Sequence, residues 1–125
     1  MQYMEVTNKS VQEVIDSLKE VAPRYKYGIQ HIHNVQETLK SKGIDLGNEC
    51  QIVDICNPIV AQKFLSEDMS LSIIMPCKIS VYTQDGETMI AMNSLVQLVD
   101  DINPDLIEIA QETQEVLLEI IDEIK

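Results

Sequence analysis

Residues 49–61 read Glu49-Cys50-Gln51-Ile52-Val53-Asp54-Ile55-Cys56-Asn57-Pro58-Ile59-Val60-Ala61, and this stretch decides the fold. Apolar residues fall on parts of both faces as far as Cys56, the pattern of a strand inside a sheet. Asn57 is a favoured helix cap, and Pro58 suits a first helical position, where a missing N–H is no loss. Strand therefore passes into helix within two residues, with a thiol on the last strand position. The first N–H groups of a helix favour negative charge, so Cys56 gains a lowered pKa if its side chain points at them. Eighteen residues after Pro58 stands Pro76, and Cys77 then opens an alternating strand to Thr83.

Outward from this stretch the chain reads as one unit. Residues 2–7 alternate loosely and predict a first strand. Ser10 with Glu13 makes a capping-box pattern for a helix whose apolar face is Val11, Val14, Ile15, Leu18 and Ala22, stopped by Pro23. Residues 25–33 predict a strand with Tyr27, Ile29, His31 and His33 on one face. Asn34 with Glu37 repeats the cap for a short helix that Gly43 ends.

On the other side, the helix opened by Asn57-Pro58 runs to about residue 66, and Leu71, Ile73 and Ile74 lead into Pro76. Asp85-Gly86 is a tight-hairpin signal between strands 77–83 and 87–92. Residues 95–99 predict a short helix, and Asn103-Pro104 starts a long last one. Together these predict an α+β fold over residues 1–125, with a single mixed sheet of about five strands packed with helices. The strand order stays open.

Composition narrows the partners. Twenty-one acidic against nine basic residues give a net charge of −12, which repels phosphate backbones and anionic lipid. No nucleic acid and no membrane partner is expected. No apolar run approaches the roughly 20 residues needed to span a bilayer. The first residues lack a basic segment followed by an apolar one, so no signal peptide is read. Three cysteines, an odd number in a chain long enough to build its own core, suit a reducing cytoplasm.

The order of these features is specific. A capped helix precedes a Tyr27-Gly28 strand, then a short helix ending in Lys42-Gly43, then strand, Cys56-Asn57-Pro58 and helix, with Met75-Pro76-Cys77 opening the next strand. With Ala61, Leu65 and Val81-Tyr82, this order resembles the prokaryotic family known as domain of unknown function 302, over residues 8–100. The resemblance implies a β-α-β(4)-α core, often dimeric, with no established activity. Members of that family usually carry Phe at the position of Tyr27, and Cys50 is not one of the family's positions.

Geometry limits what the cysteines can do together. Cys50 and Cys56 lie six residues apart on one strand, hence about 20 Å apart, too far for one ion or one disulfide. Cys56 and Cys77 meet if their strands are antiparallel neighbours, whereas a parallel crossover separates them. Each thiol is either a small hydrophobe at a strand end or a functional group. His31 and His33 lie about 6.6 Å apart on one strand face and suit Zn or Cu, but no third or fourth ligand is evident. The alternative is a solvated edge face. Asp54 shares the face of Cys50 and Cys56 and calls for solvent or a bonding partner. No cofactor is assigned.

The last helix, residues 105–125, carries a wide stripe from Leu106 through Ile109, Leu117, Ile120 and Ile121 to Ile124, with acidic residues over the remainder. Such a stripe either covers the sheet or forms a subunit contact, and a homodimer is expected through it. The expected ligand-binding site is a pocket of Cys56, Asn57, Pro58, Pro76 and Cys77. The leading functional reading is a binding or redox-accessory module. A thiol-dependent enzyme or sulfur carrier using Cys56 needs a base in reach, so it gains only if His31 or His33 approaches. A structural assembly unit would need only the last helix.

Overall fold

In the computed structural model, which describes residues 2–125, the opening stretch folds as β3 (Cys50–Cys56) and α3 (Pro58–Glu67). Before it come β1 (Gln2–Thr7), α1 (Val11–Val21), β2 (Gly28–Asn34) and α2 (Val35–Ser41). After it come β4 (Cys77–Gln84), β5 (Glu87–Asn93), α4 (Leu95–Ile102) and α5 (Ile107–Ile124). The expected caps are formed. Ser10 accepts from the Glu13 N–H while the Glu13 carboxylate accepts from the Ser10 N–H, and Asn34 accepts from Glu37. Ser94 caps α4 in the same way through the Gln97 N–H.

The strand order is β1-β5-β4-β3-β2, and every pairing is antiparallel. The α+β class and the long C-terminal helix hold, but the sheet is antiparallel throughout rather than mixed. The cause is local. Asp85 and Gly86 both take positive φ, the geometry of a tight hairpin, and turn β4 directly into β5. Between β3 and β4, α3 and the 3-10 turn Met69–Ile74 bring the chain back beside the end it left, with no crossover.

Two readings of faces change. Tyr25 belongs to a 3-10 turn, Ala22–Tyr25, and Lys26 at φ 66 reverses the chain before β2 begins. A bulge between Ile29 and His31 then shifts the alternation by one residue. Tyr27, Ile29 and Ile32 therefore join the core, while His31 and His33 are exposed.

The core lies between one sheet face and the helices α1, α4 and α5. Its side chains include Val53, Ile55, Ile79, Val81 and Ile90 from the sheet, met by Val14, Leu18, Val99, Leu117, Ile120 and Ile124. The stripe of α5 is consumed here: Ile120 and Ile124 are both 0% exposed. The last helix is thus a lid on its own sheet, and the subunit contact expected through it is not available on those residues. Exposed apolar side chains remain on α3 and the return segment, at Ile59, Met69 and Ile73, in the loop at Ile44 and Leu46, and on the opposite sheet face. Met4 and Val6 are about half exposed there, in register with the partly exposed Ala91 and Met89. Asp54, on that same face, finds its partner in Lys78 at 2.7 Å.

Candidate functional site

Cys56 and Cys77 come together because β3 and β4 are antiparallel neighbours. Ile55 pairs with Cys77, and Cys56 is the next residue, opposite the turn into β4. Both thiols line one apolar pocket with a cavity of about 30 Å³, room for about one water. α3 closes it with Val60, Ala61 and Phe64. Leu71, Ile74, Met75 and Pro76 come from the return segment, and Leu95, Val99 and Thr113 from the helical layer. The Met75–Pro76 peptide is cis.

Asn57 and Pro58 shape the entrance to α3. The Asn57 Oδ1 accepts from the N–H groups of Ile59 and Val60, at 3.0 and 3.4 Å, and Pro58 occupies the first turn. Those N–H groups are the ones that would have stabilised a Cys56 thiolate. With Asn57 holding them, burial dominates and pushes the Cys56 thiol above its ordinary value. This is the reverse of the direction expected from the helix start. Burial, assisted by the Cys56 thiol, pushes Cys77 up to about 11. Both sulfurs are therefore protonated at neutral pH and are poor nucleophiles there.

The side chain that sequence reasoning passed over is Tyr27. Its backbone N–H donates to the Ala22 carbonyl at 3.0 Å, which fixes it just after the Lys26 reversal and swings the ring into the core. The residue is 3% exposed and lines the pocket, yet its hydroxyl has no hydrogen-bond partner. Among the described residues it is the only such buried side-chain oxygen or nitrogen. Burial raises its pKa, and the Cys77 and Cys56 thiols add to that. By contrast, Thr113 lines the same pocket with its hydroxyl satisfied by the Ile109 carbonyl at 2.8 Å. The available signal was a tyrosine on an apolar strand face, since a buried phenol usually has a partner.

The far end of α3 is tied to the helical layer. Asp68 accepts from the Ser70 N–H and hydroxyl and, through Oδ2, from Asn103 at 3.1 Å. The Ser70 bonds, then the Asn103 bond, hold this carboxyl below its ordinary pKa. His31 and His33 are elsewhere. Their rings lie 6.2 Å apart, His33 meets the Thr38 hydroxyl at 3.3 Å, and neither ring lines the thiol pocket. Among the described residues no third His, Cys, Asp or Glu joins them as a metal group. Of the expected site residues, Cys56, Asn57, Pro76 and Cys77 line one pocket, Pro58 sits in the turn above it, and the histidines stay apart.

The family model "Domain of unknown function DUF302" matches residues 2–124. The chain belongs to that family. The match extends beyond the segment that carried the resemblance and takes in β1 and α5. The crystal structure of an uncharacterized conserved DUF302 protein from Bacillus stearothermophilus superposes with a TM-score of 0.95. It is 30% identical and covers 99% of this chain and 98% of that one. No curated protein matches the chain. Membership fixes the fold and leaves the activity to be argued from the pocket.

One consequence of the cap is testable alone. Asn57→Ala is expected to cost about 1 kcal/mol of stability, the ordinary value of a helix N-cap, read from urea unfolding. A loss below a few tenths would mean that the Asn57 bonds do not hold α3 in solution.

Proposed function

We propose that this DUF302 protein is a binding module whose site is the pocket between Tyr27, Cys56 and Cys77, rather than an enzyme. The observation that carries this reading is the buried and unpartnered hydroxyl of Tyr27, a residue that lines a mainly apolar pocket. An unmet hydroxyl of this kind costs about 1–3 kcal/mol, a penalty that a bound molecule can relieve. Two thiols beside it leave a redox-accessory role open to the same pocket. The enzyme reading is weaker, because the Cys56 thiol is raised in pKa and no histidine lines the pocket to serve as its base.

Toluene is a suitable first probe, and methyl NMR the readout. Binding is expected to shift the signals of Val60, Leu71, Ile74 and Val99 while leaving the exposed Val6 and Ile44 in place. Pocket methyls that stay unmoved both at saturating toluene and at saturating cyclohexanone, whose oxygen can accept the Tyr27 O–H, would refute the binding module.

We further propose a cytoplasmic homodimer, assembled through the open sheet face instead of α5. Three free cysteines fit a reducing compartment, and no helix of the described residues is long and apolar enough to cross a membrane. Nucleic acid remains a poor partner at a net charge of −12. The same charge makes two copies repel, so they can meet only where carboxylates are few. The open face offers that: Asp54 is held by Lys78, and Met4, Val6, Met89 and Ala91 supply apolar surface. Five strands at about 4.8 Å spacing cover roughly 500 Å² per copy, so a pair reaches the lower bound of specific interfaces, on the order of 1,000 Å². Sedimentation across a dilution series is expected to give a dimer that Met4→Lys with Val6→Lys dissociates without unfolding. A wild-type monomer at every concentration would refute it.

A further inference from the structure

The pocket has a chemical character beyond being apolar. No Asp, Glu, Lys, Arg or His lines it. A charged ligand would enter a desolvated site with no counter-charge, which is costly for either sign. The polar groups around it are mostly engaged: the Asn57 oxygen with two N–H groups, and the Thr113 hydroxyl with Ile109. What remains, beside two weakly donating thiols, is the Tyr27 O–H, a strong donor without an acceptor. Its raised pKa keeps it a donor across the neutral range.

Space is set by a shared wall. The small cavity holds about 30 Å³, and a larger cleft of about 250 Å³ shares part of its lining. Ile74, Met75, Pro76, Cys77 and Leu95 line both. Met75 is unbranched and adaptable, the kind of side chain that yields to an incoming group. Ile73, 77% exposed, adds apolar surface to the outer cleft.

We infer that the pocket takes an uncharged, mainly hydrocarbon molecule with one carbonyl-type oxygen, which accepts the Tyr27 O–H while the hydrocarbon part packs along Ile74–Cys77. This rests on the binding-module reading above and names the class of its ligand. Tyr27 is then the residue that sets specificity. It selects an acceptor oxygen, and the absence of any counter-charge rejects the corresponding acid.

The test compares cyclohexanone, toluene and cyclohexanecarboxylate at pH 8 on the wild-type protein and on Tyr27→Phe, with the pocket methyl signals as readout. Cyclohexanone is expected to bind the wild type and to weaken about tenfold in Tyr27→Phe, the loss of one buried hydrogen bond. Toluene should bind both proteins equally or the variant better, and the carboxylate neither. The variant removes only an unpaired hydroxyl, so it should fold and melt at a higher temperature. Equal cyclohexanone affinity in both proteins, or pocket shifts with the carboxylate, would overturn the ligand class. Toluene binding without cyclohexanone binding would do the same while leaving the binding module intact. If no probe moves the pocket methyls, the binding module fails and the ligand class falls with it.

Discussion

Replacing Ile120 and Ile124 together by lysine is expected to unfold the domain, not to release a folded monomer. Both side chains are 0% exposed and sit in the continuous core beneath α5. Truncating one buried isoleucine costs about 2–5 kcal/mol, and an unpaired ammonium in its place costs more. Two such changes reach or exceed the roughly 5–15 kcal/mol that holds a domain of ordinary stability together. The end of α5 is also anchored from outside. The Lys9 ammonium donates to the Ile124 carbonyl at 2.9 Å, so loosening that turn frees a second contact. Loss of the far-ultraviolet helical signal at room temperature is the expected readout. Ile120→Val provides the graded check, with a loss of about 1 kcal/mol and no change of fold. A folded double variant with reduced mass would return α5 to the subunit contact.

The stripe on α5 was legible in the sequence, but its use was not. Periodicity records which side of a helix is apolar. It does not record whether the covering surface comes from the same chain. Here the sheet face was wide enough, with Val53, Ile55, Ile79, Val81 and Ile90 all turned toward the helices. The opposite sheet face was illegible for the converse reason. Met4 and Val6 alternate too loosely to declare that one strand leaves them half exposed.

Local chemistry was read best. The caps at Ser10, Asn34 and Asn57 and the Asp85-Gly86 turn each depend on two or three adjacent residues, and all formed. What failed was anything needing long-range register. The bulge beyond Ile29 took the histidines off the face that Tyr27 and Ile29 share and left them exposed, and no residue in that stretch announces a bulge. The pairing of Ile55 with Cys77 likewise depends on a return through 21 intervening residues that could have crossed over. The direction of the Cys56 shift turned on one detail, that Asn57 consumes the N–H groups a thiolate would have used.

The same burial gives a pH dependence of stability. Cys77 ionises near 11 in the folded protein, against an ordinary value of 9.0. Above pH 9 the unfolded chain releases this proton while the folded chain keeps it, so the unfolded state binds fewer protons and stability falls as pH rises. The contribution is fully present below pH 9 and is gone above about 11. A two-unit shift corresponds to about 2–3 kcal/mol across that window. Cys56, raised by burial as well, contributes in the same direction within this window, and Tyr27 adds to the loss at the upper end, so pH 8.5–10 is the interval in which the two thiols dominate. Urea unfolding there should show a decline that Cys77→Ala reduces and Cys56→Ala with Cys77→Ala removes, although the variants start less stable. Reactivity offers an independent reading. At pH 8 the Cys77 thiolate is about a hundredfold rarer than that of an ordinary thiol, and its higher intrinsic nucleophilicity recovers about tenfold. Iodoacetamide should therefore modify Cys77 about tenfold more slowly than free cysteine, with the rate still climbing at pH 10. A plateau near pH 8 would show that the sulfur is solvated and that the pocket around it is open.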